Sequence, residues 1–213
     1  MFSRKVAIIL LIFFVALLFW GSASLQAVFY GKLSLIEAYV ARTGVAGGAV
    51  FILLAAISVL LGPFTSIPLV PLAVGAWGVY ATFLLILSGW LLGGIVAYGV
   101  GHIAGYPLVV RLLSRARVEK WMKKVEGRLE FLFLLLFRIA MPSETGYLFG
   151  MFRYDFLKYL LITLLAEIPF ALIVVYASEA FLEQDPTAFF GLIVVGLALM
   201  GGTLFLFSRR LTR

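Results

Sequence analysis

Cysteine is absent from the 213 residues, and histidine occurs once, as His102. The first absence excludes disulfides, thiol nucleophiles and cysteine-ligated zinc or iron–sulfur centres. The second leaves too few imidazoles for a transition-metal site, so no metal and no cofactor is expected. Charge is also scarce: 13% of residues are Asp, Glu, Lys or Arg, where a soluble domain carries roughly a quarter. From Thr43 to Val110 none of these four residue types occurs. Apolar side chains fill the chain instead, 64% by count. That is more than one water-surrounded core could hide, which excludes a soluble enzyme, a disordered chain and a basic nucleic-acid module. The chain reads as an all-α integral membrane protein.

The formal charge of +7 is unevenly placed. Bases collect at Arg4 and Lys5, along 111–128, at Arg153 and Lys158, and at Arg209, Arg210 and Arg213. Residues 179–185 carry acid and no base. Lys and Arg resist translocation, so the basic clusters mark the cytoplasmic face, with both termini on it. They also attract anionic headgroups, a better reading than nucleic-acid binding. Within 111–128, Val118, Trp121, Met122 and Val125 recur at helical spacing beside Lys120, Lys123 and Lys124. This predicts a basic amphipathic helix on the inner leaflet, a topology determinant and surface anchor.

Residues 6–20 form an apolar run followed by Gly21-Ser22-Ala23-Ser24. The run fits a signal peptide or a retained anchor, and its length favours retention. Residues 32–42 are polar enough to form a short amphipathic helix outside the bilayer. The stretches 77–101, 156–178 and 188–207 each have about the 20 apolar residues needed to cross roughly 30 Å of hydrocarbon. Two further apolar stretches are interrupted: 44–75 by Gly62-Pro63, Pro68 and Pro71, and 129–150 around Met141-Pro142. Proline removes a donor and clashes with the preceding turn, so a helix stops or bends there.

Parity of the crossings then decides. With 111–128, Arg153, Lys158 and the C-terminus inside and 179–185 outside, 129–150 must enter from the inside and return to it. With Arg4-Lys5 inside, 44–75 must enter and leave on the outer side. The expected fold is four full spans plus two re-entrant hairpins dipping from opposite faces. Its parts are an anchor and connector at 1–43, a core at 44–180, and a last span with a basic tail at 181–213. Irregular backbone at that depth must be buried in protein or line a cavity. The spacing Pro68, Gly75, Tyr80 against Pro142, Gly150, Tyr154 suggests an inverted repeat. Paired broken segments point to a transport site near the midplane.

Three ionisable residues fall where hydrocarbon is expected: Arg138, Glu144 and Glu167. Each costs about 2.5–3.5 kcal/mol at a helix centre on insertion scales, so each should face protein or water and find a partner. Glu167 lies two residues before Pro169, which should loosen its helix. The three are expected to cluster near the tip of the second hairpin. The functional reading is a guanidinium that receives an anionic group, with a carboxylate that exchanges a proton. The bland reading is a buried ion pair pinning the hairpin to the next helix. Thr65 and Ser66, after Pro63, can cap the second half-helix of the first hairpin, whose positive end also suits an anion. Gly89, Gly93 and Gly94, with Tyr98 and Gly99, form a small-residue face suited to close helix packing. His102 is expected to cap or to sit at the interface.

Three segments carry a resemblance: GPFTSIPLVPLAVGAWG (62–78), GWLLGGIVAYGVGHIAG (89–105) and FRIAMPSETGYLFG (137–150), the last followed by YDFLKYLLITLLAEIP (154–169). Over roughly 44–180 the chain resembles the DedA family, also called the SNARE-associated or VTT-domain membrane proteins. The resemblance implies two facing re-entrant hairpins. It also implies a role in moving lipids between leaflets, which in bacteria includes recycling polyprenyl-phosphate carriers, in some members at the expense of the proton gradient. Arg138 and Pro142 match the family's hairpin Arg and Pro. The chain departs from the bacterial branch in two ways: Thr65 and Ser66 stand where acids are usual, and Glu144 where a second Arg is usual.

The expected function is a membrane transporter in the bacterial inner (plasma) membrane. It would move a lipid or small anion through a site made of Arg138, Pro142, Glu144, Glu167, Pro63, Thr65 and Ser66. Its expected partners are anionic lipid headgroups and protons. The alternative is a non-catalytic scaffold or assembly factor whose buried charges are structural. An intramembrane enzyme is not expected: His102 has no serine-elbow context, and the span around Glu167 holds no second acid.

Overall fold

The computed structural model describes residues 44–61, 66–125, 130–141 and 143–211. The apolar run 6–20, the stretch 32–42, and Pro63, Thr65 and Pro142 lie outside the described residues. Among the described residues the regular structure is entirely helical. In chain order the helices are α1 (Val45–Leu61), α2 (Val70–Leu113), α3 (Arg115–Val125), α4 (Phe131–Ala140), α5 (Gly146–Met151), α6 (Phe156–Leu182) and α7 (Pro186–Leu211). Single 3-10 turns precede α2 (Ile67–Leu69) and α5 (Ser143–Thr145). Three apolar helical stretches are long enough to cross a membrane: Ile67–Leu113, Phe156–Leu182 and Pro186–Arg209. They contain the predicted spans and extend past each of them. Glu179, expected in a loop, belongs to the last turn of α6.

A straight helix of 44 residues would run about 66 Å, twice a hydrocarbon core. Two glycines divide α2 instead. Gly78 sits at φ 75°, ψ 172° and Gly105 at φ 60°, ψ −157°, conformations in which a Cβ would clash. The stretch between them, 79–104, spans about 39 Å and is long enough to cross by itself. By contrast, Pro169 does not interrupt α6, which is helical throughout. Asp155 and Asp185 start α6 and α7 by accepting the backbone N–H of Lys158 (2.9 Å) and Ala188 (3.0 Å). These caps satisfy donors that the first turn of a helix leaves open.

The stretch 79–104 organises the rest. Gly48 faces Leu85, Gly89 faces Ile52 and Ala55, and Gly93 faces Ala56 and Val59. Contacts therefore climb both helices together, so α1 runs in the same direction as this part of α2. The chain between them returns: Ser66 lies beside Ser58, while Trp77 lies against Phe51, ring centroids 5.9 Å apart. Gly78 then reverses the chain into the long helix. The second broken region folds back in the same manner, with Phe137 of α4 against Phe149 of α5 at 6.3 Å. Gly146 of α5 meets Gly94 and Ala97, and Gly150 meets Tyr98 and His102. The first folded-back segment thus packs along 85–93 of α2 and the second along 94–102. They meet where the Tyr147 hydroxyl donates to the Leu60 carbonyl at 3.2 Å.

These approaches depend on missing side chains. A Cβ on Gly93 would come within 2.6 Å of the Ala56 carbonyl oxygen. One on Gly101 would run into the Tyr147 carbonyl, and one on Gly150 into the Tyr98 carbonyl. Gly99 faces open space and is no part of this contact. α6 closes over the junction through Tyr159, fully buried, whose hydroxyl donates to the Gly94 carbonyl at 2.8 Å. α7 packs on α6 and α4, where Phe207 touches Phe133 and Phe137. The surface helix α3 is held by Val118 and Trp121, both buried, while Arg115, Arg117 and Lys120 stay exposed.

Candidate functional site

Arg138 lies in the last turn of α4, just before the break, and its side chain is 2% exposed. Its Nη2 donates to Glu167 Oε1 at 2.7 Å, across to the middle of α6, where Glu167 is 13% exposed. Arg138 Nε is buried and has no hydrogen-bond partner. A guanidinium carries five donors and no acceptor. One carboxylate oxygen on one nitrogen leaves that fork underused, and a second anionic oxygen has donors to meet. The pair itself is expensive to desolvate: removing one partner from a buried ion pair costs about 3–5 kcal/mol.

Glu144 does not join this pair. It sits in the 3-10 turn before α5 with its side chain 6% exposed, and its cation is Arg117 of α3, Nη1 to Oε1 3.5 Å. The Arg117 side chain is 50% exposed. The expected cluster of three charges is therefore two pairs, Arg138 with Glu167 and Arg117 with Glu144. Arg117 does not stand out as a site residue in the sequence, where it is one base among many on an amphipathic helix. The signal that could have found it is the count of charges: Arg138 can neutralise one of two buried acids, so the other needs a cation from a surface element.

Ser66 is buried at the turn of the first folded-back segment, and its hydroxyl does not cap the following helix. It accepts instead from the Trp90 indole N–H at 3.1 Å and lies 3.2 Å from Ser58 Oγ. Capping loses because a buried indole N–H has no water to turn to and needs an acceptor. Ser58 is positioned by its own bond to the Ala55 carbonyl, 2.7 Å. Three further expected site residues, Pro63, Thr65 and Pro142, fall outside the described residues. His102 is exposed and stacks on Tyr98 at 5.7 Å rather than capping with its ring.

Among the described residues no three His, Cys, Asp or Glu side chains gather as a metal-ligand set. A cavity of about 470 Å³ opens beside the surface helix, lined by Tyr106, Glu119, Met122, Lys123 and Phe152. Neither buried ion pair lines it. On its rim Arg115 Nε donates to Glu119 at 2.7 Å, and that hydrogen bond holds the Glu119 carboxyl below its usual range. The pair keeps its charge on the exposed side of α3, away from Arg117.

No curated protein and no solved structure matches the chain. Residues 35–180 match the VTT domain, a stretch that contains both folded-back segments and both ion pairs. With more than half its length in that match and long apolar helices around the paired charges, this integral membrane protein belongs to the VTT-domain, or DedA/SNARE-associated, family.

Proposed function

We propose that the protein is a transporter that moves a lipid with an anionic headgroup, or a small anion, between the leaflets of a bilayer. The observation that carries this reading is the buried Arg138, tied to Glu167 by one nitrogen and holding an unpartnered Nε. An anionic oxygen arriving there competes with Glu167 for the guanidinium. A buried carboxylate that loses its cation takes up a proton rather than stay charged. Headgroup binding and proton uptake are linked in this reading, and no covalent chemistry is assigned to the protein.

In the same reading the two folded-back segments are re-entrant, entering and leaving the bilayer from opposite faces as an inverted repeat. The lipid's tails stay in hydrocarbon while its phosphate passes the junction of Leu60 and Tyr147. The basic clusters support an orientation with both termini in the cytoplasm, and the membrane in this reading is the inner membrane of a bacterium. The test is reconstitution of the full chain into liposomes with fluorescent phospholipid. Arg138→Gln is expected to abolish exchange between leaflets above the protein-free rate. Exchange at the parent's rate by Arg138→Gln ends the headgroup role.

A second reading is favoured by one observation: each buried carboxylate already has a cation, at 2.7 and 3.5 Å. Closed pairs can pin helices, and the protein would then be a scaffold whose exposed bases hold a partner. That reading predicts that replacing Arg138 and Glu167 together by apolar residues preserves function, while changes at Lys120, Lys123 and Lys124 abolish it.

A further inference from the structure

Among the described residues, Arg117 is the cation that joins the surface helix to the buried acid of the second folded-back segment. Its neighbours on the helix explain why it reaches in. Val118 and Trp121 are buried and fix the helix rotation, and Arg117 comes out at the edge of that buried face. Half its side chain remains exposed, while Glu144 is 6% exposed. The separation of 3.5 Å is long for a charge-assisted contact, which is commonly about 2.7–2.9 Å. Arg138 and Glu167, at 2.7 Å and nearly out of contact with solvent, show what a closed pair in this protein looks like. The outer pair is loose and solvent-facing on its cationic side; the inner pair is tight and enclosed.

From this difference, and resting on the transport reading above, we propose that Arg117 is a second binding residue. It receives the phosphate group of the ligand at the mouth of the site, with Glu144 as the carboxylate it gives up. To displace a carboxylate from the guanidinium a ligand needs more charge than Glu144 carries. A phosphate monoester has it, with close to two negative charges and three acceptor oxygens, either as a lipid headgroup or free in solution. Arg117 can exchange partners without the protein opening, because half of the side chain already faces outward. Arg138 cannot, because its fork is enclosed. The two cations therefore work in series, Arg117 first and Arg138 second. Glu144 keeps the mouth neutral until a ligand comes, so that an empty site does not hold an unpaired positive charge. Of the other bases on α3, Arg115 is engaged with Glu119 at 2.7 Å and Lys123 lines the separate cavity.

The test is equilibrium binding of short-chain phosphatidic acid to the purified full chain in non-ionic detergent, with short-chain phosphatidylcholine and glycerol 3-phosphate as comparison ligands. Arg117→Gln alone leaves Glu144 unpaired and puts folding at risk, so the decisive variant is Arg117→Gln with Glu144→Gln, which leaves no orphan charge. It is expected to lose about tenfold in affinity for phosphatidic acid, the loss of one charge-assisted contact. Glu144→Gln alone frees Arg117 and is expected to bind more tightly than the parent, and Arg117→Lys to keep part of the affinity. Lys123→Gln, on the wall of the separate cavity, is expected to stay within about threefold of the parent. Glycerol 3-phosphate binding as well as phosphatidic acid assigns the site to the free phosphate ester; phosphatidic acid alone assigns it to the lipid. Unchanged phosphatidic acid affinity in the Arg117, Glu144 double variant, or equal affinity of the parent for phosphatidylcholine, overturns the proposal. Because this readout is binding, it stands or falls separately from leaflet exchange by Arg138→Gln.

Discussion

Where the first folded-back segment turns, hydrogen bonds among the described residues join two hydroxyls and an indole. Where the second turns, a guanidinium and two carboxylates add charge, and one carboxylate takes its cation from the surface helix. Both segments lie on the same helix, and both reach it through glycines whose missing side chains let backbone touch backbone. The shared part is packing and the unshared part is charge. Neutral hydrogen bonds contribute about 0.5–1.5 kcal/mol each and satisfy a buried donor. A buried ion pair contributes little net stability against an apolar replacement but is costly to break. The first turn is therefore glue, while the second holds charge that packing alone does not require.

Three measurements press on that contrast, each read as thermal unfolding of the full chain in detergent. The largest effect is expected at the inner ion pair. Arg138→Met strands Glu167 and should destabilise by about 3–5 kcal/mol, whereas Arg138→Met with Glu167→Leu should recover most of the loss. If the double variant is as unstable as the single one, the pair is structural and the contrast between the two turns collapses. Next come the glycines, where the two segments should behave alike. Gly93→Ala and Gly150→Ala each push a Cβ into a facing carbonyl and should cost about 1–3 kcal/mol of overpacking. A loss at one site and none at the other would mean that only one segment docks as described. The smallest effect belongs to the first turn. Ser66→Ala removes the acceptor of the Trp90 indole and should cost about 1–3 kcal/mol, toward the lower end because the indole keeps its apolar contacts. Leaflet exchange by Ser66→Ala should stay near the parent's rate, and its loss would move function into the first turn.

Much of this is legible along the chain. The charge-free stretch 43–110 and the basic clusters are enough to point to a membrane, and glycine and proline mark where the helices break. Pro169 shows the limit of that reasoning. Its helix continues, because packing against α2 and α7 outweighs one missing donor. Gly78 shows the converse: nothing local distinguishes it from the glycines that follow, yet it takes positive φ, whereas Gly105, the other positive-φ glycine of α2, stands two residues before Pro107. Ser66 fits a cap by its position. The competing donor, Trp90, lies 24 residues away.

The partnership of charges is the least readable feature. Arg138, Glu144 and Glu167 are conspicuous because ionised groups are costly in hydrocarbon, and that cost is a property of each residue by itself. Which cation neutralises which acid depends instead on distances between helices, and Arg117 enters only because α3 is rotated by Val118 and Trp121. Sequence alone thus determined that the protein lives in a membrane, that two of its helical segments are broken, and which charges need an explanation. The tertiary structure decided that those charges form two pairs, one enclosed and one facing out, because electrostatic energy follows distance and burial, and neither is written in the order of residues.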